Sequence, residues 1–357
     1  MSYILCGKVK NLTPYEPLQG DFSVRLDANE SYISLPDELR EQIAKLVAEA
    51  DYNRYPDPMA AKLCAAFAKF YDISPDLLTA GNGSDELISV ITGCMLESGD
   101  AILTFTPDFS MYRFYGELSE HPVYVMEKDD DFMIDVDEVI HTIKEKNVKM
   151  VIFSNPCNPA SVGICADEIR RLVRSVDALV VLDEAYMDFW DQSLLAEVEE
   201  YDNLIILKTC SKAVGMAALR VGFAVANKTL TRALRAVKSP YNVNSISQEI
   251  AALVLDEKAF LSDCRERLLT SRAELQKGCD ELAAAYPAII TKVWPSVTNF
   301  VMIRTGEAKN IQKALLDRSI AIRCFGGYLR ITAGSPEENA RLLCALKEIL
   351  TEMEGNI

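Results

Sequence analysis

Between residues 78 and about 226, short β-rich apolar runs alternate with stretches of helical periodicity. This alternation is typical of a mostly parallel sheet with helices on both faces, and seven strands fit one open sheet. The predicted strands cover 77–80, 101–106, 122–127, 148–154, 178–183, 203–209 and 221–226. The predicted helices between them lie near 84–97, 109–119, 135–146 and 166–176, the last two opened by acidic residues suited to a helix N-terminus.

The pattern changes after Pro240, where long helices are predicted near 245–256 and 259–286. The remaining residues favour an α+β arrangement, with strands near 291–294, 299–304, 320–324 and 327–332 and helices near 308–318 and 336–353. We therefore expect an α/β chain with a large domain at 46–257 and a smaller α+β domain at 258–357. Residues 1–45 would form an N-terminal arm and a segment joining the small domain, and Pro14, Pro17 and Gly20 indicate that the arm is extended.

Composition narrows the class of protein. The chain has 357 residues, 49% of them hydrophobic, and a formal net charge of -16, which disfavours nucleic acid and anionic membrane surfaces as partners. No apolar stretch is long enough to span a membrane, and the start is too short for a signal peptide. Ten cysteines without a C-x-x-C pair suggest reduced thiols and a cytoplasmic location, and the only histidines, His121 and His141, leave no material for a metal site.

Ligands of such sheets bind beyond the carboxyl ends of the strands, so polar residues that follow directly on predicted strands are the candidates for a site. The glycine-rich turn at 81–86 joins a strand to a helix, and its N–H groups suit a phosphate, although a plain helix cap explains it about as well. The run Asn-Pro-Cys-Asn-Pro at 155–159 follows another strand. Asparagine is common in such turns, so this run alone does not indicate chemistry.

Two more strands end in residues suited to catalysis. Asp183 closes an apolar strand, with Tyr186 three residues later, and an acid there can hold a ring nitrogen protonated, cap a helix or bind a metal. The strand at 203–209 leads to Ser211 and Lys212, with Arg220 eight residues beyond the lysine. A lysine at the end of a buried strand loses its proton readily, as an imine-forming amine must. A hydroxyl and a guanidinium beside it suit a phosphate.

Taken in order, these segments resemble the fold-type I pyridoxal-phosphate aminotransferases, and specifically the histidinol-phosphate aminotransferase family. The resemblance covers most of the chain, and the order and spacing of its markers together are highly specific. The markers are Leu-Asp-Ala-Asn-Glu at 26–30, Arg-Tyr-Pro-Asp-Pro at 54–58, the turn at 81–86, Asp-Glu-Ala-Tyr at 183–186, Ser211-Lys212 with Arg220, Pro-Tyr-Asn-Val-Asn at 240–244 and Leu-Arg-Ile-Thr at 329–332.

The resemblance implies a transaminase with pyridoxal phosphate as cofactor, an amino donor and a 2-oxo acid as substrates, and no metal. Lys212 would carry the cofactor and move the reacting proton, and Asp183 would hold the proton of the ring nitrogen. The remaining cofactor contacts would be Asn158 and Tyr186 at the phenolic oxygen, Phe109 on the ring face, and Gly83, Ser84, Asp85, Ser211, Arg220 and a second subunit's Tyr55 at the phosphate. That last contact implies a homodimer. The substrate would be held by Arg330, Arg323 and Asn29.

Two features of this chain depart from the family pattern, and the resemblance also leaves several functions open. Where the family usually reads Asn-Pro-Thr-Gly, this chain has Asn-Pro-Ala-Ser-Val-Gly at 158–163, and the connection between Arg323 and Arg330 is short. The resemblance does not by itself separate a histidinol-phosphate aminotransferase from a threonine-phosphate decarboxylase or an aromatic amino-acid aminotransferase. More remote alternatives are a nicotinamide-dependent dehydrogenase, suggested only by the sheet and the Gly-Asn-Gly turn, and a non-catalytic regulator.

Overall fold

The computed structural model describes residues 3–14, 16 and 18–355. Its strands are β1 Val24–Leu26, β2 Leu78–Gly81, β3 Ala101–Thr106, β4 Val123–Glu127, β5 Val148–Ser154, β6 Leu179–Asp183, β7 Leu204–Thr209, β8 Gly222–Ala226, β9 Ile290–Trp294, β10 Phe300–Thr305, β11 Ile320–Phe325 and β12 Tyr328–Thr332. Its α-helices are α1 Gly7–Lys10, α2 Asp37–Ala48, α3 Ala61–Tyr71, α4 Ser84–Cys94, α5 Met111–Leu118, α6 Val136–Glu145, α7 Ala166–Ser175, α8 Lys228–Val237, α9 Ser245–Asp256, α10 Lys258–Ala285, α11 Ala308–Asp317 and α12 Pro336–Glu354. Short 3-10 helices lie at Pro75–Leu77, Met187–Phe189, Leu195–Glu200 and Ala217–Leu219.

The larger sheet has seven strands in the order β2-β8-β7-β6-β5-β3-β4. Strand β8 is antiparallel to both of its neighbours, and the remaining pairs are parallel. Each strand lies within about one residue of its predicted position. The predicted fold class, a mostly parallel seven-stranded sheet between helices with a smaller α+β part, is confirmed.

The central strands are apolar on both faces because helices cover both faces. On one side α3, α6, α7 and α9 pack against Val180 and Leu182 of β6, and on the other α4, α5 and α8 pack against Val181. Successive side chains of a strand point to opposite faces. The Asp183 side chain therefore lies on the same face of the sheet as Val181, which α5 covers, and the Glu184 side chain lies on the opposite face.

The smaller sheet has five strands in the order β1-β11-β12-β10-β9, with β1 parallel to β11 and the other pairs antiparallel. It shares a core with α10, α11 and α12. The N-terminal prediction needs correction at two places, because residues 24–26 form β1 and residues 7–10 form a short helix rather than an extended arm. Val24 and Leu26 are buried and face this core, which explains the strand. Pro17 lies outside the described residues.

Helix α10 connects the two parts of the fold. Leu261 near its start packs in the core beneath the large sheet, Leu268 packs with Tyr186 and Phe300, and Leu275 lies in the core of the small sheet.

Helices α2, α3 and α8 have no counterpart in the sequence prediction. In the described part of the chain, none of the helices combines the length and apolar character of a membrane span.

Candidate active site

All four segments selected from the sequence meet at the carboxyl edge of the large sheet, where Gly81 of β2 and Thr209 of β7 both lie opposite Gly222 of β8. Asp183 at the end of β6 lies opposite Ser154 of β5 and Leu207 of β7. The backbone continues this pairing beyond the strands, since Asn155 N–H donates to the carbonyl oxygen of Asp183 at 2.9 Å and Glu184 N–H to that of Leu207 at 2.9 Å. Segments far apart in sequence are thus held side by side at this edge.

The Asp183 carboxyl group is buried and accepts two hydrogen bonds. The Tyr112 hydroxyl donates to Oδ2 at 2.7 Å, and the backbone N–H of Ala185 donates to Oδ1 at 3.0 Å. Burial raises the pKa of Asp183 to about 6, because the ionised form loses its hydration, and the two donors act in the opposite direction. The group is therefore ionised at neutral pH and has a high affinity for a proton.

Lys212, Tyr186 and Asn29 lie together beside this carboxylate edge. Lys212 is half-buried, and its Nζ donates to the carbonyl oxygen of Ala28 at 2.9 Å and lies 5.8 Å from the centre of the Tyr186 ring. The Tyr186 hydroxyl accepts a hydrogen bond from Nδ2 of Asn29 at 2.9 Å. Lys212, predicted to carry the cofactor, thus lies close to Tyr186, predicted to contact its phenolic oxygen. Asn29, predicted to bind the substrate, contacts the same tyrosine.

The start of α4 forms a cradle for an anion. Gly83 precedes the helix with φ 83°, and no side chain caps the first N–H groups of α4. The Arg220 guanidinium reaches this turn, with Nη1 3.3 Å from the Ser211 hydroxyl and Nη2 3.4 Å from Oδ2 of Asp85. A helix N-terminus, a hydroxyl and a guanidinium are the groups that bind phosphate.

Close packing behind this turn fixes its position. A Cβ atom at Gly222 would lie 2.4 Å from the backbone nitrogen of Ser84, and one at Gly83 would lie 2.8 Å from Nη2 of Arg220. The contact with backbone requires glycine at position 222, and the positive φ favours glycine at position 83. The residues present therefore fit the phosphate of the predicted cofactor.

Phe109, the residue predicted to stack on the ring, is half-buried just before α5. Its ring lies 5.5 Å from that of Tyr112 at 78°. Tyr112 faces Asp183 from the same helix and has no counterpart among the predicted site residues. A tyrosine on an apolar helix face gives no sequence signal that separates it from a core residue.

Asn158 and Arg330 are in contact, which joins a predicted cofactor residue to a predicted substrate residue. Nη1 of Arg330 donates to Oδ1 of Asn158, and Nη2 donates to the carbonyl oxygen of Asp27 at 2.7 Å. Arg330 is only 8% exposed, so it is not a surface strand residue. Arg323 lies opposite it on β11, and the guanidinium groups are 5.9 and 5.3 Å from the Phe325 ring.

The altered turn at 158–163 closes on itself and contacts the segment between β9 and β10. Cys157 N–H donates to the carbonyl oxygen of Val162 at 2.7 Å, and Ser161 N–H donates to that of Cys157 at 2.8 Å. Ser161 adopts a left-handed conformation with φ 64°. The Ser161 carbonyl oxygen accepts from Val297 N–H at 2.9 Å. The turn that carries this departure therefore keeps Asn158 beside Arg330 and packs against Val297.

A buried ion pair beneath this turn was not predicted. Nζ of Lys128 lies 2.9 Å from Oδ2 of Asp108, and the side chains are 3% and 1% exposed. The Ser154 hydroxyl donates to Asp108 and accepts from Asn158 N–H, the latter at 3.1 Å. Burial alone would lower the pKa of Lys128, but Asp108 and Cys157 together outweigh burial and raise that pKa above its ordinary value. The pair thus supports the segment that carries Asn158.

A second buried network lies on the opposite face of the sheet. Lys208 of β7 is 2.7 Å from Oδ1 of Asp188, and the Ser193 hydroxyl donates to Glu184 at 2.6 Å. Burial raises the pKa of Glu184 to about 7. These groups face away from Lys212 and the anion cradle.

Tyr55 does not join the other predicted residues within this chain. It is 81% exposed and stacks on Tyr241, with ring centres 4.7 Å apart and planes at 21°. Within residues 3–14, 16 and 18–355, no group of three or more histidine, cysteine, aspartate or glutamate side chains is arranged to hold a metal ion.

Comparison with known proteins agrees with this geometry. Residues 23–346 match the family model described as "Aminotransferase class I and II". The chain is 38% identical, over 344 residues and 95% of each sequence, to a histidinol-phosphate aminotransferase of Clostridium novyi. The chain therefore belongs to the class I and II aminotransferases, and the prediction of a transaminase is confirmed.

Solved structures share the fold. A histidinol-phosphate aminotransferase from Sinorhizobium meliloti, in complex with pyridoxal-5'-phosphate, matches with a TM-score of 0.85 at 22% identity, over 98% of both chains. An L-threonine-O-3-phosphate decarboxylase from Porphyromonas gingivalis matches with a TM-score of 0.77 at 23% identity, over 92% of this chain and 99% of that one. The dehydrogenase and the non-catalytic regulator are not better supported by these relatives than the aminotransferase.

Replacing Asp183 with asparagine should change how the stability of the cofactor-free protein depends on pH. Because the pKa of this group rises from 3.8 to about 6 on folding, the folded state binds more protons than the unfolded state between these values. The free energy of unfolding of the wild type should therefore fall as pH rises through this interval, by roughly 1–3 kcal/mol relative to Asp183→Asn.

Denaturant unfolding of both proteins at about pH 4.5 and about pH 7.5 measures this difference. Asp202→Asn, at an exposed aspartate, is the control and should follow the wild type. An identical pH dependence for wild type and Asp183→Asn would contradict the assignment of a buried, ionisable carboxyl group.

Proposed function

We propose that this chain is a pyridoxal-phosphate-dependent aminotransferase that acts on histidinol phosphate or a similar amino phosphate, with 2-oxoglutarate as amino acceptor. The observation that carries the proposal is the meeting of Asp183, Lys212 and the anion cradle of α4 at one edge of the sheet. An acid, an amine and a phosphate site are the groups that the ring nitrogen, aldehyde and phosphate of this cofactor require. Relatives such as the Clostridium novyi protein support the substrate.

When bound, pyridoxal phosphate supplies an electron sink for negative charge at the substrate's Cα. Lys212 would hold the cofactor covalently through Nζ and, once released, move the proton between Cα and C4′. Asp183 would keep a proton on the ring nitrogen, because an ionised carboxylate stabilises a neighbouring positive charge.

The hydrogen bonds already made by Tyr186 and Asn158 leave donors for the phenolic oxygen. The Tyr186 hydroxyl accepts from Asn29, so its own hydrogen is available. Asn158 uses Oδ1 to accept from Arg330, so its Nδ2 group is available. Both side chains can therefore donate to one acceptor.

The substrate's anionic end would be held by the arginines of the small sheet. A chain with a net charge of -16 offers no long-range attraction to an anion and needs a local cationic clamp. Arg330 places its planar guanidinium group next to Asn158, and Arg323 lies opposite Arg330 on β11. Such groups suit phosphate and carboxylate alike.

A screen of amino donors with 2-oxoglutarate, including histidinol phosphate and aromatic amino acids, tests the substrate. Release of carbon dioxide from threonine phosphate, measured in parallel, tests the decarboxylase alternative. Turnover of histidinol phosphate should exceed turnover of the aromatic amino acids and decarboxylation of threonine phosphate.

We also propose a cytoplasmic location for this enzyme, which its ten free thiols support.

Lys212→Ala should abolish turnover, because no other amine would carry the cofactor. After borohydride reduction of the wild type, mass spectrometry should find the pyridoxyl group on Lys212. Lys228→Ala, at an exposed lysine, should retain both activity and labelling. A pyridoxyl group on any other lysine of the wild type would overturn the assignment.

Arg330→Lys should lower kcat/KM for the best anionic substrate by about 10- to 100-fold, because a buried bidentate contact to a charged group is lost. The visible absorption spectrum of the bound cofactor should stay unchanged. Arg304→Lys, at an exposed arginine of the neighbouring strand β10, should behave as wild type. A wild-type kcat/KM in Arg330→Lys would remove the main support for the substrate class.

We propose a homodimer in which Tyr55 reaches the cofactor phosphate of the partner, since an exposed aromatic stack of Tyr55 and Tyr241 suits a protein contact. Heterodimers of wild type with a Tyr55→Ala, Lys212→Ala chain should bind the cofactor more weakly at the remaining lysine. A Tyr52→Ala, Lys212→Ala chain is the control, since Tyr52 is also exposed. Equal cofactor affinity in the two heterodimers would refute the contact in trans.

A further inference from the structure

Tyr112 is a fully buried tyrosine whose hydroxyl contacts a single predicted site residue. The side chain is 0% exposed, and its hydroxyl lies 2.7 Å from Oδ2 of Asp183. The ring packs in the apolar layer between the sheet and α4, with Ile88 and Val181 among its members. The ring thus fills the core, and the hydroxyl adds a directed contact that a phenylalanine would lack.

We propose that Tyr112 is a positioning residue that keeps the Asp183 carboxylate ionised and oriented, so that the proton shared with the cofactor stays on the ring nitrogen. This inference rests on the proposed function, because it assigns Asp183 to that nitrogen. The geometry supports it at both oxygens of the carboxylate. The Ala185 N–H holds Oδ1, and the Tyr112 hydroxyl holds Oδ2.

The phenol acts as a donor over the whole working range of pH. Burial raises the pKa of Tyr112 well above its ordinary value, and the Asp183 charge raises it further. A protonated phenol next to a carboxylate can only donate to it. Donation favours the ionised form of Asp183 and opposes the effect of burial.

Other charges near Asp183 make this donor necessary. The carboxylates of Asp108 and Asp85 both raise the pKa of Asp183, and Lys128 and Arg220 pair with them rather than with Asp183. Removing the Tyr112 hydroxyl would leave Asp183 a stronger base. The shared proton would then move from the ring nitrogen toward the carboxylate, and the ring would withdraw electrons less strongly.

The first test uses the cofactor-free protein. Carbon-13 NMR of labelled aspartate side chains should show Asp183 titrating near its wild-type midpoint in Tyr115→Phe, which removes a hydroxyl from the same helix. In Tyr112→Phe the midpoint should rise by about one pH unit or more. An unchanged midpoint in Tyr112→Phe would overturn the proposal.

The second test uses the holoenzyme with nitrogen-15 in the cofactor ring. In Tyr112→Phe the ring nitrogen signal should move toward that of neutral pyridine, and kcat should fall about ten-fold with KM within about two-fold of wild type. A shifted Asp183 midpoint with an unchanged ring signal would sink the inference. Failure of the wild type to bind pyridoxal phosphate would instead defeat the proposed function, and the first test would still report on the contact.

A third variant guards against misfolding of Tyr112→Phe. Incorporation of 3-fluorotyrosine at position 112 keeps the shape of the side chain and makes its hydroxyl a stronger donor. The Asp183 midpoint should then move down rather than up. A midpoint that stays in place in this variant would count against the role of the hydroxyl as firmly as the first test.

Discussion

The ionised carboxylate of Asp183, buried at the end of a central strand, is the constraint on which the site depends. A buried charge without partners costs several kcal/mol, so the surrounding chain has to supply donors in fixed positions. The parallel pairing of β5, β6 and β7 fixes the backbone, and α5 brings a hydroxyl to the second oxygen. The rigidity of the sheet edge and the chemistry of the site thus have the same origin.

The site is built from both parts of the fold. Arg330 comes from the small sheet and contacts Asn158 in the turn that follows β5 of the large sheet, while Asn29, which follows β1, contacts Tyr186. Helix α10 packs against both cores and holds them at one relative position. Groups that act on the substrate and groups that act on the cofactor therefore contact each other directly.

The sequence predicts the elements with strong periodicity and the residues that follow directly on them. The seven strands of the large sheet and residues such as Asp183 and Lys212 fall in this class, because apolar runs and strand ends are local signals. Tyr112 and the pair of Asp108 with Lys128 could not be predicted in this way. Their roles depend on contacts between residues that are 20 and 71 positions apart, and these contacts form only when the strands and helices assemble. Strand β1 is too short to show a periodicity, and its pairing with β11 is likewise non-local.

The two carboxylates at the end of β6 favour one register of this strand against its neighbours β5 and β7. Asp183 faces α5 and the anion cradle, whereas Glu184 faces Lys208 and Ser193 on the far side. A slip of one residue would exchange their faces, placing the longer Glu184 side chain in the site and the shorter Asp183 side chain on the side of Lys208. The contacts of Glu184 with Lys208 and Ser193 thus help to fix the register of β6. We therefore expect insertions or deletions in β6 to be tolerated less than substitutions on either face.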